Sequence, residues 1–596
     1  MWLEIFRKLS AIILAIVSFF NTLGGSFKVK TETVSVNGSY AAVDQLGRRV
    51  VTAGSSDKKV GIFYFLWMGE HGAGGPYDNT KLLAEHPDAV ESVEKWQGYG
   101  GGGYGEFHFW GEPLFGYYLS RDKWVIRKHL QMLTDAGIDF VVFDVTNGFT
   151  YIDRVRDFIS VWYDHMEEGW DVPKLAFYTN SASGSTMNQL HDGIYENAQL
   201  KAQYPDLDRL WFRLDDTPGA KPMIIGNPED PELREDVRDY FRIKHNQWPN
   251  SDKNRDGFPW MEFDRNLTVN AIYKNSLKDK SIMNVSVAQH CDSVRFSATA
   301  WYGANDHTRN WHDGSNDGSA DALLYGYNFE EQWDFAIGFD PDIVFVTGFN
   351  EWIAQRLNFA DNEPIGFCDN CTEACSRDTE PAAGPISDNY YMQLVRKIAE
   401  YKGKTAVVDR GGYVTIDPDK GFSQWDSSSV TAVYRDYKND TVDRNCAGYG
   451  DLYYTDTTGR NDIVTCKAAR DEQKMYFYVE TADALTSPDG GNWMTLYLNT
   501  SGGTDYDFCI DRDAPENGKT AVMRINGGEC ETVGYADIRF EGNKLMIAVD
   551  KALLGLDASD CNTVMFKWAD NCAFADFDSF YLNGDCAPYG RLNYVF

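Results

Sequence analysis

The sequence is short of positive charge and of long apolar runs. Its 596 residues include 56 Lys and Arg against 89 Asp and Glu, a formal net charge of −33. A chain this acidic repels phosphate backbones, which argues against a nucleic-acid partner. Beyond the N-terminus no stretch approaches the ~18 apolar residues that a membrane-spanning helix needs. We therefore expect no nucleic-acid partner and no membrane contact beyond an N-terminal anchor.

Several catalytic signatures are also missing. There is no HExxH zinc motif and no clear Gly-x-Ser-x-Gly nucleophile elbow. The glycine cluster Gly98–Gly103 has no following Lys-Ser/Thr, which indicates a loop rather than a phosphate cradle. No redox cofactor is implied and none is required by the predicted chemistry. A structural Ca²⁺ is compatible with an acidic exported protein, although no calcium loop is recognisable.

The composition is otherwise that of a folded protein rich in aromatic rings. It is 43% hydrophobic and 14% aromatic, which excludes wholesale disorder and provides for two or three domains. Sugars stack their CH faces on aromatic rings, so many rings on an acidic protein suit glycan recognition. Most of these rings are nevertheless expected in the core.

Residues 1–30 are predicted to be a secretory signal. Arg7 and Lys8 precede the apolar run Ala11–Phe20, and small residues follow at Gly24–Ser26. The run is too short for an ordinary spanning helix and has the flanks of a signal peptide. A secreted or cell-surface location follows, with a retained N-terminal anchor as the alternative.

The cysteines are concentrated toward the C-terminus. None of the 11 precedes Cys291, and an exported protein with this pattern is expected to form disulfides. The odd total leaves one thiol unpaired or bonded to another chain. Cys368, Cys371 and Cys375 form a C-x2-C-x3-C cluster without a nearby fourth ligand, which favours disulfides or free thiols over zinc.

Short apolar runs alternate with amphipathic stretches between residues 60 and 403. This alternation predicts a (β/α)8 TIM barrel over residues 31–403, with a doubly wound sheet as the alternative. An eighth strand is predicted near Ser297–Trp301. The other seven predicted strands are Val60–Trp67, Phe140–Val145, Leu175–Tyr178, Met223–Ile225, Trp260–Phe263, Val285–Ala288 and Ile343–Phe349. The predicted helices are Asp122–Ala136, Ile152–His165 and Asp388–Tyr401.

Residues 404–596 have a different pattern. Short alternating runs separated by Gly, Asp and Asn predict an antiparallel β-sandwich. These runs are Thr431–Tyr434, Met475–Glu480, Trp493–Leu498, Thr520–Ile525, Ile538–Phe540, Lys544–Val549 and Val564–Trp568.

The strongest candidate site is Asn350-Glu351-Trp352, at the end of the last barrel strand. Active sites of such barrels lie at the carboxyl ends of the strands. Glu351 can protonate a leaving oxygen, Asn350 can hydrogen-bond a sugar hydroxyl, and Trp352 can stack on a sugar face. The alternative is a glutamate that caps the next helix.

A second carboxylate, Asp144, ends another apolar strand and is followed by Asn147. Asp144 is predicted to act as the partner carboxylate or to orient a hydrogen bond, and Asn147 to bind substrate. The alternative is an aspartate that starts a turn. Asp139, at the opposite end of this strand, is expected to be structural.

Further candidates lie in loops. His108, Trp110 and Tyr118 are predicted substrate-binding residues, with Glu112 as a reserve acid, in a loop that either roofs the site or packs over the barrel. His290 and Trp301 follow strand ends and are also predicted to bind substrate, although single residues of these types are often structural.

The run His108–Asn147 together with Phe349-Asn350-Glu351-Trp352 resembles glycoside hydrolase family 99, family 71 and the WbsX-like group. The SRDTEP run at Ser376–Pro381 resembles their closing segment. The resemblance implies a barrel of this kind. Family 99 enzymes are retaining endo-α-mannosidases whose paired glutamates stand in an N-E-W-x-E pattern. Glu351 matches the first glutamate, whereas the second position holds Ala354, so the family's mechanism and its mannan substrates are not carried over to this chain. Glu380, Asp144 or Glu112 is expected to supply the missing charge.

The C-terminal part resembles family 9-like carbohydrate-binding modules. The resemblance rests on Gly459–Thr481, Trp493–Thr500 and Phe580–Phe596. It implies sugar binding between aromatic rings, with a structural sandwich as the alternative. The candidate rings are Trp425, Trp493 and Trp568.

We therefore predict an exported glycoside hydrolase that acts on a polysaccharide or complex glycan. Three alternatives stay open: a non-catalytic glycan-binding surface protein, a WbsX-like glycan-processing transferase, and a polysaccharide lyase.

Overall fold

The computed structural model describes residues 40–215, 217–249, 254–261, 272–273, 281–319, 321–403, 408–488, 491–512, 514–558 and 563–596. The predicted signal peptide, Cys561 and the end of the predicted strand Trp260–Phe263 lie outside the described residues. Within them, the protein has a nearly closed barrel of eight parallel strands and a separate antiparallel sheet.

The barrel strands follow one another around the barrel in chain order. In hydrogen-bonded order they are β6, β5, β4, β3, β2, β1, β8 and β7, with every pair parallel. They are β1 (Lys59–Tyr64), β2 (Phe140–Val145), β3 (Lys174–Thr179), β4 (Met223–Gly226), β5 (Arg242–Gln247), β6 (Gly257–Pro259), β7 (Ile282–Ser286) and β8 (Ile343–Thr347). Between β6 and β7 no ladder pairing is present among the described residues, although the two strands are in contact.

Helices follow most of these strands on the outside. The helix Lys123–Ala136 begins where Asp122 accepts a hydrogen bond from the Trp124 N–H at 3.1 Å. It ends at Gly137, whose φ of 81° suits glycine best. The other helices of this part are Asn79–Glu85, Val93–Gly98, Ile152–Glu167, Ser183–Leu190, Ala198–Gln203, Glu235–Tyr240, Phe296–Trp301, Ala322–Tyr325, Tyr327–Phe339 and Asn389–Lys402. No helix of the described residues combines the length and apolarity needed to cross a bilayer.

The predicted position of the eighth strand is wrong. Residues Phe296–Trp301 form a helix, and the strand missing from the prediction is β5. Its sequence, RIKHNQ, has no apolar run that would indicate a strand. This charged strand can nevertheless be buried because Asp256 neutralises it. The Asp256 carboxylate lies 2.7 Å from Arg242 and 2.7 Å from the fully buried Lys244. Hydropathy cannot detect a strand whose buried charge is neutralised by a later residue.

The C-terminal sheet is antiparallel, as predicted, and includes the start of the described chain. In hydrogen-bonded order its strands are Ala432–Arg435, Ile463–Arg470, Lys474–Thr481, Lys544–Asp550, Glu529–Glu541, Lys519–Asn526, Phe508–Ile510, Thr495–Asn499, Met565–Asp570, Asn593–Val595, Tyr40–Val43 and Arg49–Val51. Asp585–Ala587 pairs with Met565–Asp570, and the helix Ser579–Leu582 precedes it. Tyr434 and Phe566 belong to strands far apart in this order, yet their rings are 5.2 Å apart. The sheet therefore curls so that distant strands pack against each other through the same face.

Polar contacts join the barrel to this sheet. Arg444 forms an ion pair with Asp122 at 2.9 Å, and Arg591 forms one with Asp388 at 2.7 Å. All four side chains are nearly or fully buried. Removing one partner of such a pair would leave an uncompensated buried charge, so both pairs tie the barrel to the sheet.

Ile272–Tyr273 pairs with β7 in antiparallel orientation, and three short ladders complete the described strands. Phe107–Phe109 pairs with both Tyr77–Asp78 and Ile353–Gln355. The other two are hairpins, formed by Trp311–His312 with Ser315–Asn316 and by Arg444–Ala447 with Tyr453–Asp456.

Candidate functional site

A cavity of about 380 Å³ opens at the carboxyl ends of the barrel strands. Side chains from six of the eight strand ends and from one later loop line it. Phe63, Phe65 and Trp67 lie at or just after the end of β1, and Asp144, Thr146 and Asn147 at or just after the end of β2. Trp248, Trp260, His290, Val294 and Glu351 follow β5 to β8, and Cys368 and Asp369 belong to the later loop. This is the end at which barrel enzymes place their reacting groups.

A second cavity, of about 400 Å³, lies at the opposite end of β1, β2 and β3. Its carboxylate, Asp139, accepts a hydrogen bond from the Val60 N–H at 2.7 Å and pairs with Lys402 at 2.8 Å. Asp139 thus ties strands and helix together, in agreement with the structural role expected for it.

Glu351 reaches the cavity from a turn that requires glycine. Gly348, directly after β8, has a φ of 100°, and a Cβ atom there would collide with the Arg377 carbonyl. The chain can therefore pass close to Arg377 and present Glu351, which is only 3% exposed. Asp378 accepts a hydrogen bond from the Glu351 N–H at 2.5 Å, and Asn370 donates to the Glu351 carbonyl at 2.5 Å.

The carboxyl group of Glu351 is held through one oxygen. Arg377 donates to Oε2 from Nη2 at 2.5 Å and from Nε at 3.2 Å. Among the described residues nothing hydrogen-bonds Oε1. Burial raises the pKa of Glu351 well above its ordinary value, Arg377 opposes this effect, and Asp369 and Asp378 add to it. Oε1 is thus the atom that can carry a proton.

Asp144 is the second carboxylate in the cavity. It lies in β2 and is 7% exposed. Its Oδ1 accepts a hydrogen bond from the Thr146 N–H at 2.9 Å. Burial raises the pKa of Asp144 to about 6, with a smaller increase from Asp369 and a decrease from Arg377. Arg377 lowers and Asp369 raises the pKa of both Asp144 and Glu351, so the two carboxyls are parts of one electrostatic network.

Arg377 and Asp369 were not among the sequence candidates. Arg377 is fully buried, and its Nη2 lies 2.9 Å from an oxygen of Asp369, whose side chain is 31% exposed. Burial lowers the pKa of Arg377, but Glu351 and Asp369 raise it by more. Arg377 belongs to the SRDTEP run, which was noted only for its resemblance to a family, and Asp369 lies between Cys368 and Cys371, which were noted only as cysteines.

Aromatic side chains form much of the wall. The rings of Trp248 and Trp260 stack with centroids 4.7 Å apart, and Arg377 lies 5.5 Å from the Trp260 ring. Trp67 contributes a third indole to the lining. None of the three was predicted as a site residue, because Trp67 and Trp260 fall inside predicted strands and Trp248 follows β5, which was not predicted. Such rings can stack on sugar faces.

Four of the sequence candidates lie together in this cavity: Glu351, Asp144, Asn147 and His290. The His290 Nε2 lies 3.2 Å from Nη1 of Arg377, and its ring stacks on Phe296 at 3.8 Å. Burial and Arg377 lower the pKa of His290 to about 3, so it is a neutral imidazole. Asn147 is exposed at the mouth.

Asn350 does not line the cavity. Its Oδ1 accepts a hydrogen bond from the Phe65 N–H at 2.9 Å, and its Nδ2 donates to the Phe65 carbonyl at 3.2 Å. The fully buried amide therefore clamps the extension of β1, which carries Phe65 and Trp67 into the wall. This placement favours a positioning role over the predicted contact with a sugar hydroxyl.

Trp110, Trp352 and Tyr118 also lie behind the cavity. The two indoles are buried and stack on each other at 4.4 Å. Glu380 accepts hydrogen bonds from the Trp352 Nε1 at 2.6 Å and the Tyr118 hydroxyl at 2.8 Å, and its other oxygen lies 3.0 Å from His129. None of these side chains has a free face for a sugar. Glu380 serves this buried network and does not line the cavity.

His108 and Trp301 belong to a separate aromatic cluster. His108 is fully buried and its Nδ1 lies 3.0 Å from the Asn79 side-chain oxygen. Burial lowers the pKa of His108 to about 3. Trp301, at the end of a helix, packs near Trp96 with centroids 6.2 Å apart. Ala354 is buried in the same cluster, so its position also lies outside the cavity lining.

Glu112 lies away from the cavity. Its carboxylate pairs with Lys81 at 2.5 Å, and the side chain is one-third exposed. This environment is that of a surface ion pair. The placement gives no support to a catalytic role for Glu112.

The C-terminal aromatic candidates are all in the interior. Trp425, Trp493 and Trp568 are at most 2% exposed. The Trp425 indole N–H donates to the sulfur of Met546, and that of Trp493 donates to the Thr486 carbonyl at 3.1 Å. A ring with no open face cannot stack on a sugar, so these placements do not support the predicted binding site.

No disulfide joins any two of the ten cysteines that the structure describes. Cys371 and Cys375 are buried, and burial raises the pKa of Cys371 well above its ordinary value. The C-x2-C-x3-C cluster does not gather a metal-ligand set within the described residues. Among all the described residues, the group with metal-ligand spacing is a different one, formed by Asp436, Asp440 and Asp585.

Comparisons with protein families and with curated proteins return no match for this chain. Among solved structures, it is similar to the GH99 endo-alpha-mannosidase from Bacteroides thetaiotaomicron in complex with BIS-TRIS-propane, at 15% identity and a TM-score of 0.34. That alignment covers 59% of this chain and 98% of the other. A second structure of the GH99 enzyme from that organism gives 14% identity, a TM-score of 0.34, and coverage of 59% and 99%. Similarity at this level assigns no residue a role.

Proposed function

We propose that this protein is an exported glycoside hydrolase that cleaves a polysaccharide or complex glycan, with Glu351 as general acid and Asp144 as base or nucleophile. The observation that carries the proposal is the pairing of two buried carboxyls with different pKa values in one cavity. Burial raises the pKa of Glu351 well above its ordinary value, whereas that of Asp144 is about 6. When the environment gives two neighbouring carboxyls different pKa values, the one with the higher pKa can act as the acid and the other as the base or nucleophile.

The proposed reaction is hydrolysis. The Glu351 carboxyl donates its proton to the glycosidic oxygen while the bond from that oxygen to the anomeric carbon breaks. Asp144 then either takes a proton from the water that attacks this carbon, or attacks the carbon itself and is released by a water that gives its proton to the Glu351 carboxylate. In both routes one water is consumed and two sugar ends are formed. Arg377 positions Glu351 by holding Oε2.

Three features support a sugar substrate. Trp67, Trp248 and Trp260 form aromatic walls suited to sugar CH faces. Asn147 and Thr146 offer polar groups near Asp144. The cavity volume of about 380 Å³ is within the usual range for small ligand sites, so it can hold a short stretch of glycan. Export is proposed because residues 1–30 have the composition of a signal peptide.

The test is reducing-end release from a broad panel of polysaccharides and complex glycans by the full-length protein. We expect release from at least one glycan, with proton NMR of the first product giving the stereochemistry. Binding to one glycan without release from any, by a folded protein, would overturn the hydrolase proposal. It would instead favour the non-catalytic glycan-binding protein. An unsaturated product absorbing in the ultraviolet would indicate a lyase.

Trp248 is expected to bind substrate without taking part in bond cleavage. Trp248→Ala removes one stacked ring from the wall, and an aromatic contact of this kind contributes about 0.5–1.5 kcal/mol. We therefore expect KM to rise roughly 3–10-fold with kcat little changed, measured on the glycan identified above.

Trp248→Phe is the matched control, because it keeps an aromatic face and should have a smaller effect. A large loss of kcat with an unchanged KM would contradict the stacking role. It would indicate that Trp248 instead orders the reacting groups.

A further inference from the structure

A cluster of three buried aspartates lies where the barrel meets the C-terminal sheet. Asp436 and Asp440 follow the strand Ala432–Arg435, and Asp585 begins the strand Asp585–Ala587. One carboxylate oxygen from each lies within 4.8 Å of the others. All three side chains are at least nine-tenths buried. Three negative charges so close together, and shielded from water, repel one another strongly unless something compensates them.

Several oxygens around this cluster lack a hydrogen-bond partner. Oδ2 of Asp436 and Oδ1 of Asp440 are buried and accept no hydrogen bond within the described residues. Gln131, on the helix Lys123–Ala136, is fully buried and donates from Nε2 to Oδ2 of Asp440 at 2.8 Å. Its own Oε1 is also buried without a partner. Native proteins leave few buried acceptors unsatisfied, so three around one cluster call for a missing partner.

The neighbouring lysines do not supply that partner. Lys128 donates to the backbone carbonyl of Asp440 at 3.4 Å and lies against the Trp124 and Tyr589 rings. Lys567 donates to the Pro588 carbonyl.

Negative charge also exceeds positive charge around the cluster. Asp462 and Asp135 add to the negative charge. Asp440 and Asp462 interact with each other, and Asp135 contributes to the raised pKa of Asp436. Five carboxyls therefore face three cations, Lys128, Lys567 and Arg127.

We propose that Asp436, Asp440 and Asp585, with the Gln131 carbonyl oxygen, bind a Ca²⁺ ion at the junction of barrel and sheet. Carboxylate and amide oxygens are the ligands of hard cations, and Ca²⁺ accepts six to eight of them in flexible geometry. The ligands come from a barrel helix and from two separate parts of the sheet. The ion therefore links the two halves of the molecule.

The test uses the full-length protein, dialysed first against EDTA and then against buffer without metal. Calorimetric titration with CaCl₂ should show a saturable site, and 1 mM CaCl₂ should raise the unfolding midpoint by about 3 °C or more relative to EDTA. MgCl₂ should be less effective, because Mg²⁺ is smaller and sheds its water reluctantly.

Asp440→Asn separates a metal site from a merely repulsive cluster. Without metal, the variant should be more stable than the wild type, because one buried charge is removed. With CaCl₂, its midpoint should not rise. Asp443→Asn is the matched control on the same loop: Asp443 is exposed, and its variant should respond to CaCl₂ like the wild type.

Two results would overturn the proposal. One is the absence of both a binding heat and a midpoint shift with CaCl₂ in the wild type, which would mean that shared protons neutralise the cluster. The other is an undiminished CaCl₂ response in both Asp440→Asn and Asp436→Asn, which would place the ion elsewhere.

Discussion

Glu351→Gln is expected to lower kcat on the glycan substrate by about 10²–10⁴-fold, the usual loss when an acid catalyst is removed. Glutamine keeps the shape of the side chain and can still accept hydrogen bonds from Arg377, but it cannot donate a proton to the glycosidic oxygen. KM should change little, because the cavity walls stay in place. The measurement is reducing-end release under saturating substrate, with circular dichroism to confirm folding.

Glu112→Gln is the matched control. Glu112 was predicted as a reserve acid in the loop that also holds His108 and Trp110, but its carboxylate pairs with Lys81 outside the cavity. We expect its variant to retain nearly full activity. Near-wild-type activity in a folded Glu351→Gln protein would refute the role of Glu351. Equal losses in both variants would point instead to a general disturbance of the barrel.

Asp144→Asn is expected to have two opposite effects. Activity should fall by about 10²–10⁴-fold, because the base or nucleophile is lost. Stability at pH 7–8 should rise by up to about 3 kcal/mol, because the pKa of Asp144 is about 6 in the folded protein against 3.8 as an ordinary value. A raised carboxyl pKa means that ionisation destabilises the folded state. The variant removes that cost while its amide oxygen still accepts from Thr146.

The pH dependence fixes the sign. The stability gain of the variant should be full above pH 6 and should shrink as the pH falls toward 4, since the wild-type carboxyl is then protonated. Wild-type activity should decline below pH 6 for the same reason. Chemical denaturation at pH 8 and pH 4 and a pH–rate profile check both. If Asp144→Asn stays active and Asp369→Asn does not, the base is Asp369.

The sequence identified the barrel because most of its strands are buried on both faces. Runs such as Phe140–Val145 and Ile343–Thr347 are almost continuously apolar and need no tertiary information to be recognised. β5 was not predicted because it contains charged residues. Its Lys244 is buried and is neutralised by Asp256, which lies beyond the strand. An ion pair between distant residues is invisible to a local pattern.

The same distinction applies to the site. Glu351 and Asp144 were predicted because a polar residue at or just beyond the end of an apolar strand must lie at the carboxyl end of the barrel. Trp110, Trp352 and His108 were selected for their chemistry alone, and the structure packs them into the interior. Arg377 and Asp369 lie in an irregular loop, where no periodicity indicates which side chains face the barrel axis.

By itself, the sequence determined the type of each half, the end of the barrel where chemistry is expected, and the two carboxyls there, because these depend on local hydrophobic patterns. Only the tertiary structure decided which rings form walls and which are core, that Arg377 holds Glu351, and that three aspartates separated by up to a hundred and fifty residues meet at the junction. Those outcomes depend on burial and on the approach of distant segments, and both the pKa of a carboxyl and the open face of an indole follow from that burial.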